Sequence, residues 1–200
     1  MRKVVYHVGV SLDGCIASAD GSFEWLNRAT RSAEAAGEDF GMTKLFADID
    51  TVLIGRKTYE VMLKFGQPGG YPKMMNLVFS RTLPPSKEKG VRVIAEDAAP
   101  FVADLKRRPG KSIYLCGGGE LARDLLRHGL VDEIEMGVVP VLVGNGLPCF
   151  PPGFPETDLK LSECKQYKGG IVGLKYRLAT TAGRKSGAKK GRGKAAAKGR

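Results

Sequence analysis

Apolar positions along the chain fall into short blocks separated by polar, glycine-bearing stretches, and the spacing within the blocks changes from one to the next. Residues 3–10 form a strand-length apolar run, followed by a polar loop over 11–22 that carries Gly14 and Gly21. The pattern over 23–47 predicts mostly helix, with apolar Phe40, Leu45 and Phe46 towards its end. Thr51-Val52-Leu53-Ile54 is short and almost wholly apolar, as a strand covered on both faces should be. Gly55 ends it and a helix is predicted over 57–64. Further strands are predicted over 75–79, 91–95 and 112–116. Asp97 is placed to N-cap a helix that stops before Pro109, and a helix over 120–128 is closed by Gly129. Residues 131–143 read as a strand broken by Pro140, which suggests a bend or an edge. Finally, 159–168 and 171–180 flank Gly169-Gly170, the two-residue signature of a tight antiparallel hairpin.

Strands alternating with helices and closed by a hairpin give an α/β fold: a mixed, mostly parallel sheet, helices on both faces, and an antiparallel hairpin at its end. The organisation expected is one domain over 1–180 and a tail over 181–200, with no internal repeat. A body of roughly 180 residues can bury about 70% of its unfolded surface, enough for a single core. From Ala182 onward only Gly, Ala, Lys and Arg occur, apart from Ser186. Such a segment cannot bury enough apolar surface to order itself, so it is expected to be disordered.

Locating the charge changes its meaning. The formal net charge is +11, but residues 182–200 hold eight of the cations and no acid. The remainder carries 24 basic against 21 acidic groups. A basic tail of this kind predicts weak, salt-sensitive contact with nucleic acid, and no aromatic residue in it could stack on bases. No apolar run approaches the ~20 residues of a membrane span. Met1-Arg2-Lys3 leads straight into the first strand without a signal-like apolar stretch, so a cytoplasmic protein is expected. Cys15, Cys116, Cys149 and Cys164 form no CxxC pair, and with His7 and His128 the only histidines no metal site is expected. A Ser-His-Asp hydrolase is disfavoured by the absence of a GxSxG elbow.

The candidate chemistry lies at strand ends. In Ile113-Tyr114-Leu115-Cys116-Gly117-Gly118-Gly119-Glu120-Leu121-Ala122, an apolar strand runs into three glycines and a helix start. Glycines let the backbone approach a ligand closely, and the free N–H groups of a helix N-terminus favour a pyrophosphate. Gly117, Gly119 and Ala122 fit a GxGxxA pattern, but its position late in the chain, after four strand candidates, argues against a standard Rossmann domain. Ile54-Gly55-Arg56-Lys57-Thr58 places a second glycine turn and helix start after another buried strand, and Phe79-Ser80-Arg81 ends a third. Guanidinium forks match phosphate oxygens, and open α/β sheets bind ligands at such strand ends.

These three segments, in this order and spacing, resemble the NADPH-binding segments of the dihydrofolate reductase fold. Val10-Ser11-Leu12-Asp13-Gly14-Cys15-Ile16-Ala17, with Gly129-Leu130-Val131-Asp132-Glu133-Ile134 and Val139-Pro140-Val141-Leu142-Val143-Gly144, resembles the reductase domain of riboflavin biosynthesis, the C-terminal part of the bifunctional deaminase-reductase. The similarity spans roughly residues 3–179. It implies a dihydrofolate reductase-like fold and NADPH as cofactor. Gly55, Arg56, Lys57 and Thr58 would hold phosphate and ribose, Ser80 and Arg81 the adenosine 2′-phosphate, and Gly117, Gly118, Gly119, Glu120 and Leu121 the pyrophosphate turn. Ser11, Asp13, Ile16 and Ala17 would face nicotinamide and substrate.

The same resemblance places the catalytic carboxylate of dihydrofolate reductase sixteen residues before Gly55, at Asp39, next to Glu38. It implies hydride transfer to a small heterocycle, a pterin or a pyrimidine-type riboflavin precursor. No HxE…CxxC deaminase motif is present, so a stand-alone reductase is expected. A homodimer formed through sheet or helix edges is implied in the same way. The competing reading is a nucleic-acid-binding protein that works through the tail on a degenerate reductase fold.

Overall fold

A computed structural model describes residues 1–154 and 156–179. The expected tail over 181–200, with its nucleic-acid contact, lies outside the described residues. In chain order the elements are β1 (Val4–Ser11), β2 (Cys15–Ser18), α1 (Glu24–Glu34), α2 (Met42–Asp48), β3 (Ile49–Gly55), α3 (Arg56–Lys64), β4 (Met75–Phe79) and β5 (Val91–Ile94). Then come α4 (Ala98–Arg107), β6 (Ser112–Gly117), α5 (Gly119–Arg127), β7 (Glu133–Val139), β8 (Gly146–Pro148), β9 (Leu159–Gln166) and β10 (Val172–Leu178).

Eight strands form one sheet in the order β5-β4-β3-β6-β1-β7-β10-β9. Its first six members pair in parallel, and β10 runs antiparallel to both β7 and β9. This is the mostly parallel sheet with a terminal hairpin that the sequence pattern predicts. Successive side chains of a strand point to opposite faces, and the inner strands are buried on both. Val52, Leu53 and Ile54 are fully buried. Leu53, Leu115, Tyr6 and Val4 pack with Val102, Leu105 and Leu125 of α4 and α5 on one side. On the other, Val52, Ile54, Tyr114 and Val5 pack with Leu45 of α2 and Tyr59 of α3. Each fully buried aliphatic side chain contributes about 1.5–3 kcal/mol.

Two expectations are corrected. The single helix over 23–47 is two, because Gly37, Phe40 and Gly41 all take positive φ and turn the chain between α1 and α2. The loop over 11–22 contains β2, which pairs antiparallel with β8. A four-residue strand whose partner is three residues long and far along the chain leaves little local pattern.

The outer strands differ from the inner ones. Register places Glu133 and Glu135 of β7 beside Arg177 and Lys175 of β10, and these beside Lys160 and Glu163 of β9, all on one face. The opposite face carries Ile134, Met136 and Val138, then Tyr176, Leu174 and Val172, then Leu161, Cys164 and Gln166. One face is a ladder of charges; the other has none in these rows.

Candidate active site

Parallel pairing brings the C-terminal ends of β3, β4 and β6 to one side of the sheet, with Gly55 opposite Phe79 and Ile54 opposite Gly117. Gly55 closes β3 and precedes the first residue of α3. A Cβ on Gly55 would lie 3.1 Å from the Gly118 nitrogen and 3.2 Å from the Gly117 oxygen. The β3–α3 and β6–α5 turns therefore nearly touch, which sets the N-termini of α3 and α5 side by side. The Thr58 hydroxyl faces this junction, 3.4 Å from where a Gly118 Cβ would stand. Gly117 has φ of 127°, open to glycine and strained for other residues, and the Gly117–Gly118 peptide is cis. Gly119 is required by packing, since its Cβ would meet Pro151 Cδ at 2.8 Å and the Cys149 oxygen at 3.0 Å.

The first N–H groups of each helix have no partner within it and point out of the N-terminus. Two such ends meeting across bare glycine backbone make a cradle for anionic oxygens. Glu120 and Leu121 add to it only through their backbone. The Glu120 carboxylate pairs with Arg123, and Leu121 packs against the core.

Beside the cradle lies a cleft of about 650 Å³ lined by Arg56, Ser80, Arg81, Glu96, Asp97 and His128, among others. Neither arginine is idle. Arg56 Nη1 donates to Glu60 Oε1 at 2.6 Å, and Arg81 Nη2 donates to Asp97 Oδ1 at 2.5 Å. Asp97 does occupy the N-cap position of α4, yet its side chain makes no capping bond; the Arg81 guanidinium holds it instead. Ser80 Oγ accepts from the Thr82 and Leu83 amides at 3.2 and 3.0 Å, which fixes the turn carrying Arg81. Lys57 is exposed at the start of α3. Sequence reasoning missed Glu96, on the loop after β5, and Asp124 and His128, which α5 brings to the cleft.

On the first-strand loop, buried Ser11 donates from Oγ to Asp13 Oδ1 at 2.6 Å and accepts from the Cys15 amide at 2.8 Å. Asp13 also accepts from the Val143 and Gly144 amides at 3.1 and 2.7 Å. The Ser11 hydroxyl and those amides hold its carboxyl down to about 2. Ile16 packs against the core and Ala17 is buried where β2 meets β8. Ser11 and Asp13 thus lock the loop over 11–18 to the segment 141–149.

Asp39 does not meet the expectation for a proton donor. It is exposed, and its two oxygens accept from the Gly41 amide at 2.9 Å and the Thr43 amide at 3.3 Å. These bonds hold its carboxyl below the usual carboxylate range. A carboxyl that donates protons near neutrality needs the opposite, burial that raises its pKa. Asp39 is spent on the turn into α2, and Glu38 next to it accepts from the Lys168 amide at 3.2 Å. Near this turn, Trp25 is 8% exposed and its Nε1 is buried without a hydrogen-bond partner among the described residues.

Comparison with known proteins adds to this geometry. A family model described as the RibD C-terminal domain matches residues 2–173. The chain is 37% identical over 176 residues to the uncharacterized protein YwjB of Bacillus subtilis, covering 88% of this chain and 97% of that one. It is 27% identical over 158 residues to the riboflavin biosynthesis protein RibD of Mycobacterium tuberculosis, covering 72% of this chain and 44% of that one. A solved structure of a putative riboflavin biosynthesis protein from Shewanella superposes with a TM-score of 0.77 at 22% identity, covering 88% and 99% of the two chains.

Proposed function

The chain belongs to the RibD C-terminal domain family, and from that membership we propose that it is an NADPH-dependent reductase of a small heterocyclic substrate. The substrate class is a pterin or a pyrimidine-type riboflavin precursor. The reaction needs no deaminase domain on the same chain, a reading supported by the near end-to-end match to YwjB. Drawing on NADPH, the enzyme would work in the cytoplasm, where that cofactor is kept reduced.

The observation that carries this reading is the meeting of two helix N-termini over bare glycine backbone beside an arginine-lined cleft. Those residues fit a phosphorylated dinucleotide: Gly117, Gly118 and Gly119 with the N-termini of α3 and α5 would take the pyrophosphate. Gly55, Arg56, Lys57 and Thr58 would support phosphate and ribose, and Ser80 and Arg81 the 2′-phosphate. The nicotinamide, when bound, supplies the hydride. The chain positions the reactants, and the loop over 11–18, locked by Ser11 and Asp13 with Ile16 and Ala17 behind it, provides a wall that needs little ordering on binding.

Titration with NADPH and NADH, followed by nicotinamide fluorescence, tests the proposal. NADPH should bind more tightly than NADH. Arg56→Ala and Arg81→Ala should each weaken NADPH by roughly 10-fold or more, as losing a charge-assisted hydrogen bond costs about 1.5–3 kcal/mol. NADH should be affected less by Arg81→Ala. A chain that binds neither nucleotide would overturn the reading.

A further inference from the structure

The cleft that holds Arg56, Ser80 and Arg81 also takes in His128, the residue that closes α5. Among the described residues that line it, two guanidinium groups, Arg56 and Arg81, stand against three carboxylates, Glu96, Asp97 and Asp124. Both guanidinium groups are already paired, with Glu60 and Asp97. With a neutral imidazole the lining therefore carries one negative charge in excess. Protonation of His128 brings it to balance, so a single side chain decides how the cleft meets a further dianion.

The ring is built to make that difference. His128 Nδ1 lies 2.8 Å from the Asp124 backbone oxygen and 3.5 Å from its carboxylate Oδ1. A carbonyl oxygen only accepts, so Nδ1 carries the hydrogen and Nε2 of the neutral ring is a bare acceptor. Nε2 has no hydrogen-bond partner among the described residues, and the side chain is 56% exposed. A bare Nε2 repels a phosphate oxygen, whereas a protonated Nε2 donates a charge-assisted hydrogen bond to it. Because a main-chain atom fixes the tautomer, the ring need not turn between the two states. The groups that share the cleft with it act in opposite directions. Asp124 on the same helix, with Glu96 and Asp97 before α4, favours the cation, and Arg81 and Arg56 oppose it.

We propose that, with the 2′-phosphate at Ser80 and Arg81 as read above, His128 binds that phosphate as an imidazolium and makes the preference for NADPH over NADH depend on pH. The feature recognised is a phosphomonoester dianion on the adenosine ribose, which NADH lacks. Binding draws one proton from solvent onto Nε2 and leaves the cofactor chemically unchanged. As pH rises through the range in which imidazole titrates, that proton and its contact are lost together.

Isothermal titration calorimetry on the full chain at pH 7.5, in two buffers of different ionisation heat, counts the protons taken up on binding. NADPH should take up a measurable fraction of a proton and NADH none. His128→Asn should abolish that uptake and leave NADH unchanged. At pH 6.5 it should weaken NADPH roughly 3- to 10-fold, a charge-assisted hydrogen bond discounted for solvent exposure. His128→Lys, charged throughout this range, should keep the preference for NADPH without the uptake. In the wild type the preference should fall by a similar factor between pH 6.5 and 8.5. The 2′-phosphate loses its own last proton near pH ~6, which strengthens NADPH binding as pH rises, so a fall cannot come from the ligand. NADPH preferred over NADH without proton uptake, or an uptake that survives His128→Asn, would overturn the role of His128 and leave the reductase reading in place. Failure to bind either nucleotide would remove both.

Discussion

The inner strands β3 and β6 and the outer strands β10 and β9 belong to one sheet but satisfy burial in different ways. Inside, Leu53 and Leu115 face one helical layer while Val52 and Tyr114 face the other, and all are buried. Outside, each strand is divided: Leu174 and Tyr176 look one way, Lys175 and Arg177 the other. The inner arrangement leaves the strand ends as the only place where polar backbone and charge can gather, and the anion cradle is there. The outer arrangement leaves apolar Leu159 and Leu161 of β9 in contact with water. A region sealed on both sides concentrates function at its rim, whereas a region sealed on one side can offer a surface.

Substitutions in the sealed and the exposed regions test this contrast. Leu53→Ala should lower the unfolding free energy by about 2–5 kcal/mol in urea denaturation, through lost transfer and an unfilled cavity. Leu161→Ala should cost less than about 1 kcal/mol because the side chain already meets water; equal losses would erase the distinction. Gly119→Ala should destabilise by roughly 1–3 kcal/mol, since Pro151 and two backbone oxygens stand in the way. Gly69→Ala, where a Cβ meets open space, should be neutral or slightly stabilising in the same assay.

Asp13 provides a pH test at the first-strand loop. Its folded carboxyl sits at about 2, below the unfolded value near ~3.9, so the ionised form favours the fold. That contribution is complete above about pH 4 and is lost as pH falls towards 2. The gap in urea midpoint between wild type and Asp13→Asn should therefore be wider at pH 6 than at pH 2.5; a gap that does not change with pH would refute the role. Deleting residues 182–200 should have the smallest effect on the body, leaving NADPH binding unchanged while any salt-sensitive retention on a polyanion column disappears.

Much of this was legible in the sequence because the relevant forces are local. The unbroken apolar run ending at Ile54, the glycines after Cys116 and the glycines at 169 and 170 each announce an element through its own residues, although the hairpin turns through a three-residue 3-10 turn, Lys168–Gly170, and not through the two glycines alone. What was not legible depends on distant partners. A count of sixteen residues back from Gly55 points to Asp39, but the count cannot reveal that Gly37, Phe40 and Gly41 turn the backbone there and claim the carboxylate for a turn. Asp97 is well placed as a cap, yet a guanidinium sixteen residues earlier outcompetes the backbone amides for it. Trp25 carries no local sign that its indole nitrogen would be enclosed without a partner.

The ion pairs Arg56–Glu60 and Arg81–Asp97 have one more consequence. A phosphate bound there would not meet two free cations, because each guanidinium already gives one N–H to a carboxylate. Binding would then share those guanidinium groups between two anions, and part of the attraction would be offset by the weakened resident pair. Added salt weakens the resident pair along with the new one. Affinity for a doubly charged phosphate should accordingly vary less with ionic strength than two unpaired arginines would dictate, so the cleft is buffered against changes in its ionic surroundings.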